Sequence, residues 1–219
     1  MSLHASSSGP EAFPLPEIVP VFPLPAIVFF PQTYLPLHIF EPRYREMVQE
    51  ASRQEQCIGM ALLKDGWEDQ YEGAPPFHAI GCVGRMISFH KLQDGRYNIV
   101  LQGLQRCTYH EQTVETNYRQ VRITPYESQG PTSLTCEIRR HLEDTAQEYL
   151  LAKKANQLCD ILNSGTLTDS ILVHNLSAGL DLSPIEKQFL LESEDLPQQA
   201  RRLIDFIRFK LADLRTTRG

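Results

Sequence analysis

Apolar positions along this chain follow two different periods, and the change falls near Pro125. Before it, short apolar runs are broken by prolines and glycines, as in strands. After it, apolar residues recur at the 3.6-residue period of helices. Cys57 to Leu63, Ile80 to His90, Tyr97 to Tyr109 and Tyr118 to Thr124 are predicted strands. Asp94-Gly95 lies between the two longest. Asp-Gly between β runs signals a hairpin, because the turn needs positive φ and glycine supplies it at little steric cost. Gly81, Gly84 and Gly103 fall inside these strands and allow bulges or tight coiling. One helix interrupts the β part: Pro42 suits a first helical turn, and Tyr44, Met47, Val48 and Ala51 share one face.

Nine of the 15 prolines lie between Pro10 and Pro42, in a stretch that is otherwise strongly apolar. Proline has no amide hydrogen for a ladder, so this segment cannot be a regular inner strand. Short strands that bend around a barrel satisfy both facts.

Beyond residue 126, helices are predicted over about Leu134 to Lys153, Ala155 to Asn163 (closed by Gly165), Thr168 or Asp169 to Ala178, Ser183 to Glu192, and from Asp195 onward. A turn and cap are expected at Gly130-Pro131-Thr132-Ser133. Ser183-Pro184-Ile185-Glu186 reads as a capping box with proline at the first helical position. The last helix carries Leu203, Ile207, Leu211 and Leu214 on one face. The expected fold class is α+β: residues 1–16 a flexible leader, 17–126 a β-barrel subdomain with one inserted helix, 127–219 a helical bundle subdomain.

Composition narrows the functions. The 219 residues carry 21 Lys+Arg against 27 Asp+Glu, a net charge of −6. A surface built to neutralise phosphates should be basic, so nucleic acid is an unfavoured partner. The five cysteines, at 57, 82, 107, 136 and 159, include no C-x-x-C pair. They suit a reducing cytoplasm and small buried apolar roles. No apolar run approaches the ~20 residues needed to cross a bilayer, so no membrane partner is expected.

Direct tests for catalytic chemistry return little. No lysine follows a glycine, so there is no P-loop. His110-Glu111 begins a zincin pattern, but position 114 is Val. Ser177-Ala178-Gly179 lacks the flanking glycine of a nucleophile elbow. A Cys–His or Ser hydrolase stays open as an alternative, without local support. No catalytic residue, metal site or cofactor is assigned.

Several motifs, in order, resemble one family. Phe22-Pro23-Leu24-Pro25, Val28-Phe29-Phe30-Pro31 and Leu35-Pro36-Leu37-His38-Ile39-Phe40-Glu41-Pro42-Arg43-Tyr44 resemble the opening of the Lon protease amino-terminal, substrate-binding domain. Gly81-Cys82-Val83-Gly84-Arg85, Asp94-Gly95-Arg96-Tyr97 and Gln102-Gly103-Leu104-Gln105-Arg106 are similar to its central hairpin. Leu182-Ser183-Pro184 with Glu186-Lys187-Gln188 resembles its helical signature. The resemblance covers about residues 17 to 214. It implies a PUA-like β pseudo-barrel followed by a helical bundle, and a non-catalytic domain that binds unfolded or exposed apolar polypeptide. The ATPase and peptidase modules of the full protease have no counterpart here, so a protease or ATPase acting in trans is a further implied partner. The PUA-like barrel also holds RNA elsewhere, which keeps an RNA-binding module as an alternative reading.

The expected binding residues are Phe29, Phe30, Tyr34, Arg43, Trp67, Tyr71 and Phe77. Arg43 belongs to the charged turn Glu41-Pro42-Arg43 that the resemblance associates with substrate handling, although a local ion pair would equally explain it. Trp67, the only tryptophan, lies with Tyr71 and Phe77 in the long connection from Asp65 to Phe77. Long connections without regular structure are often functional. Trp67 and Phe77 either fold back over one barrel end or stand open to a client.

Overall fold

The computed structural model describes residues 13–54, 56–70, 73–154 and 167–216. Its strands are β1 (Ile18–Leu24), β2 (Tyr34–Ile39), β3 (Cys57–Leu62), β4 (Ile80–Lys91), β5 (Tyr97–Gln112) and β6 (Gln120–Pro125). They form one mixed sheet in the order β2-β5-β4-β3-β1-β6, and a further β5–β6 pairing closes five of them into a ring. β2 joins from outside, on β5. β1 runs parallel to β3, and helix α1 (Pro42–Arg53) lies in the connection between them. A parallel pair needs such a crossover.

The prolines of β1 fit because the strand changes partner halfway. Ile18 to Pro20 pair with β6, whereas Val21 to Leu24 pair with β3. Each half is therefore locally an edge, where a missing amide hydrogen is tolerated. The β4–β5 hairpin slips register at Val83/Gly84 and Met86/Ser88. Such slips bend and coil a hairpin, as ring closure requires. Gly95 at its turn has φ +81°. Gly103 serves a different need: a Cβ there would stand 2.1 Å from the Phe30 carbonyl oxygen.

Four described helices follow the sheet: α2 (Cys136–Ala152), α3 (Asp169–Gly179), α4 (Pro184–Leu191) and α5 (Leu196–Thr216). The helix expected at Ala155–Asn163, and the leader through residue 12, lie outside the described residues. Phe13 and Leu15, assigned to the leader by sequence, pack against the sheet, and Arg85 lies over the Phe13 ring at 4.4 Å. α2 begins later than expected. Its N-cap is Thr135, whose hydroxyl accepts from the Ile138 amide at 3.3 Å. The Leu134 amide instead donates to Asp169 at 2.8 Å, and that carboxylate also takes Arg139 at 2.6 Å. This cross-link holds the preceding residues off the helix axis. The capping box at Ser183 forms in both directions.

Two apolar clusters fill the sheet region. A third joins the four helices around Leu142, Val173, Leu190, Leu203 and Ile207. Phe30, from the β1–β2 connection, is fully buried in the helical cluster. Polar contacts add to this joint. The Arg106 guanidinium on β5 donates to the Leu191 carbonyl at 2.7 Å and to that of Ser193, closing the C-terminal end of α4. Gln188 donates to the Ile80 carbonyl at 2.9 Å, and His78 faces Glu192 at 3.3 Å.

Candidate functional site

Where β3 ends, the chain turns outward through Lys64 and Asp65 and reaches Trp67 just before a short 3-10 turn, Glu68–Gln70. The far side of the connection is fixed by the Leu63–Phe77 bridge and by hydrogen bonds from Lys64 N to Pro76 O and His78 N to Leu62 O. The loop base is therefore an extension of the sheet. Beside it α4 begins, with Pro184 and Ile185. Between the two lies an open cleft of about 500 Å³, lined by Pro25, Leu63, Trp67, His78, Pro184 and Ile185 among others. That volume is within the usual range for ligand clefts. Trp67 is half-buried, and Ile185 leaves 57% of its surface exposed. Lys64 and Asp65 also line the cleft and carry opposite charges, so its wall is mixed, more apolar than polar, without a strong net field.

The other sequence-derived candidates separate. Phe29 and Phe30 are buried in different clusters, Phe29 under the sheet and Phe30 among the helices. Consecutive residues of an extended segment point to opposite sides, and here both sides are core. Neither presents a face to a partner. Tyr34 is exposed at the start of β2, and the equally open Phe40 lies just past the other end of that strand, against His38. Arg43 pairs with Glu41 at 3.0 Å and lies 4.7 Å over the Tyr44 ring, both local contacts. Tyr71 lies outside the described residues. Phe77 folds back: it packs against a sheet cluster, meets Tyr109 edge-on at 6.5 Å and carries Arg119 over its face at 4.3 Å. Of the expected residues that are described, Trp67 alone lines the open cleft. Sequence reading missed Pro184 and Ile185, whose capping-box signal marked a helix start and said nothing of what would lie beside it.

Nucleophilic groups are placed differently. Burial, with a smaller contribution from Cys107, pushes the Cys82 thiol far up. Burial pushes Cys107 up to about 12. Both thiols donate to backbone carbonyls, so neither supplies thiolate at neutral pH. Ser177 is fully buried, donates to the Val173 carbonyl at 2.7 Å and accepts from Gln199 at 3.2 Å. It is a satisfied core hydroxyl. Among the described residues no group of three His, Cys, Asp or Glu could hold a metal ion. Three arginines of the sheet surface are paired with acids, Arg96 with Asp94, Arg119 with Glu111 and Arg122 with Glu17, while Arg85 lies over the Phe13 ring. This local neutralisation weakens the RNA-binding alternative. No described helix is long and apolar enough to cross a membrane.

Comparison with known proteins agrees with this architecture. The family model of the ATP-dependent protease La (LON) substrate-binding domain matches residues 18–208. Lon protease 2 of Myxococcus xanthus is 28% identical over 205 residues, which cover 90% of this chain and 24% of that protein. Lon protease of Anaeromyxobacter dehalogenans gives the same identity and coverage. The chain thus spans about a quarter of the length of these curated relatives. The solved N-terminal domain of Mycobacterium avium complex Lon protease superposes with a TM-score of 0.68 at 20% identity, covering 87% of this chain and 98% of that one. A Lon N-terminal domain protein from Xanthomonas campestris gives 0.62 at 23% identity, covering 87% and 97%. By the match over residues 18–208, this chain belongs to the Lon substrate-binding domain family.

Proposed function

We propose that this chain is a non-catalytic polypeptide-binding module whose Trp67 cleft takes up apolar segments of unfolded proteins. The observation that carries the reading is the apolar cleft itself: Trp67, Pro25 and Ile185 face one open space of about 500 Å³. Family membership supports a polypeptide as the occupant. The space accepts roughly two large apolar side chains at ~1.5–3 kcal/mol each before ordering costs. Affinity for one segment is then in the high-micromolar to millimolar range, roughly, and tolerant of sequence. Weak, tolerant binding suits sampling of many clients. Work alongside a protease or ATPase supplied in trans, in the cytoplasm, completes the proposal.

Trp67 is the only tryptophan, so its fluorescence reports on this cleft alone. Titration with an unfolded, tryptophan-free protein should shift its emission to the blue, and the folded form of the same protein should not. Ile185→Asp should weaken the response at least tenfold. An emission spectrum unchanged at millimolar client would refute the assignment.

A further inference from the structure

A second cleft opens where β5 meets the helices. It measures about 490 Å³, and its lining includes Gln32, Arg106, Tyr126, Glu127, His174 and Asp195. Arg106 is the cation of its wall. Its guanidinium lies on the Tyr126 ring at 4.0 Å, and Nη1 is pinned to the carbonyls of Leu191 and Ser193. Stacking and pinning remove the rotamer freedom that normally opposes ligand binding. No described carboxylate forms an ion pair with this cation, in contrast to Arg96, Arg119 and Arg122 of the sheet surface. Burial lowers its pKa, and the opposing influences come from Tyr126 and Cys82, neither of them a carboxylate. Among the described residues Nε and Nη2 have no hydrogen-bond partner, and they are not sealed from solvent, since the one sealed and unpartnered side-chain polar atom there is His174 Nδ1.

We infer that the free edge of Arg106 receives a carboxylate of the bound polypeptide, giving the module an ionic subsite separate from the Trp67 cleft. A planar guanidinium held in place matches a carboxylate by two parallel hydrogen bonds. Glu127 and Asp195 line the same cleft and disfavour a doubly charged phosphate, which selects a monoanion. Asp195 is itself engaged, accepting from the Gln198 amide at 2.7 Å as the cap of α5. His174 adds no charge: burial, and then the Arg106 cation, hold its pKa at about 4. The same chemistry is carried by a chain's terminal carboxylate and by an Asp or Glu side chain. The inference rests on the polypeptide-binding reading above.

The test is fluorescence anisotropy of the full chain with three labelled octapeptides of Ala, Ser and Leu: one with a free terminal carboxylate, its terminal amide, and the amide with one internal Asp. A charge-assisted pair is worth ~1.5–3 kcal/mol, so the acid should bind roughly 10- to 150-fold tighter than the amide. Recovery of affinity by the internal Asp marks side chains as a source; failure to recover marks the chain terminus. Arg106→Lys should abolish the acid–amide difference. Because Arg106 also closes α4, Glu127→Gln serves as the variant that leaves packing untouched. It should tighten the acid severalfold and leave the amide unchanged. Equal binding of acid and amide, with an intact Trp67 response to unfolded protein, overturns the subsite alone. Loss of both overturns the polypeptide-binding reading as well.

Discussion

Truncating Phe30 to alanine separates two roles that one aromatic side chain can play. Phe30 leaves the sheet region, is 0% exposed, and stands among Leu142, Val173 and Leu190 with its ring 6.4 Å from that of His174. Removing a buried phenyl group costs about 3–5 kcal/mol in lost transfer energy and residual cavity. For a chain of 219 residues each kcal/mol lowers Tm by about 2–4 °C, so the fall should be about 6–20 °C. The backbone around it cannot close the gap, because the Phe30 carbonyl is already against Gly103. Ellipticity at 222 nm follows mainly the helices, while Trp67 emission follows the rim of the sheet. Both should shift to the same lower midpoint, since Phe30 ties the two regions. A loss below ~1 kcal/mol accompanied by weaker client binding would refute the core assignment and restore Phe30 as a contact residue.

Further consequences concern single groups. Gly103→Ala should cost ~3 kcal/mol or more by equilibrium denaturation, because the new Cβ meets backbone at 2.1 Å, while Gly179→Ala, with nothing within 4 Å, should be neutral or stabilising. Ser183→Ala removes the acceptor for the Glu186 amide and half of the capping box, and should cost about 1 kcal/mol in the same assay. The pKa of His174 is depressed to about 4, mainly by burial, so the unfolded chain binds its proton first and stability falls as pH drops from about 6.5 to 4. Its contribution reaches at most ~1.4 kcal/mol per pH unit. His174→Gln should remove that slope, and an NMR titration placing His174 near 6.5 would contradict the reasoning.

Local rules explain what could be read from sequence. The four apolar positions on α1 share one face at helical spacing, and all four are buried. The capping box at Ser183 and the Asp-Gly turn need only neighbouring residues, and both form as expected. Pairing between distant strands is not local. Nothing in β1 announces that it changes partner at Val21, or that β6 returns to β5 to close the ring. That closure also explains why β5 runs to Gln112, beyond the expected Tyr109. β6 starts after Tyr118 because that ring turns inward and its hydroxyl bonds to Glu50.

The candidate sites were legible only in part, for a related reason. Hydrophobicity shows that a side chain will avoid water, not whether it does so inside its own fold or against a client. Phe29, Phe30 and Phe77 satisfy themselves internally. Trp67 keeps an open side because its loop base is anchored through Leu63 and Phe77 while α4 stands apart across the cleft. Arg106 could not be singled out by sequence. An arginine inside a strand pattern reads as an outward-facing residue, and only the docked end of α4 shows its stacked and pinned geometry.

Hydrogen–deuterium exchange of the full chain, with and without an unfolded client, addresses the central claim most directly because it maps where polypeptide is held. Slower exchange is expected in two stretches, 62–67 and 184–189, which border the Trp67 cleft. Unchanged exchange in both stretches, with protection confined to the outer face of β2, would contradict it.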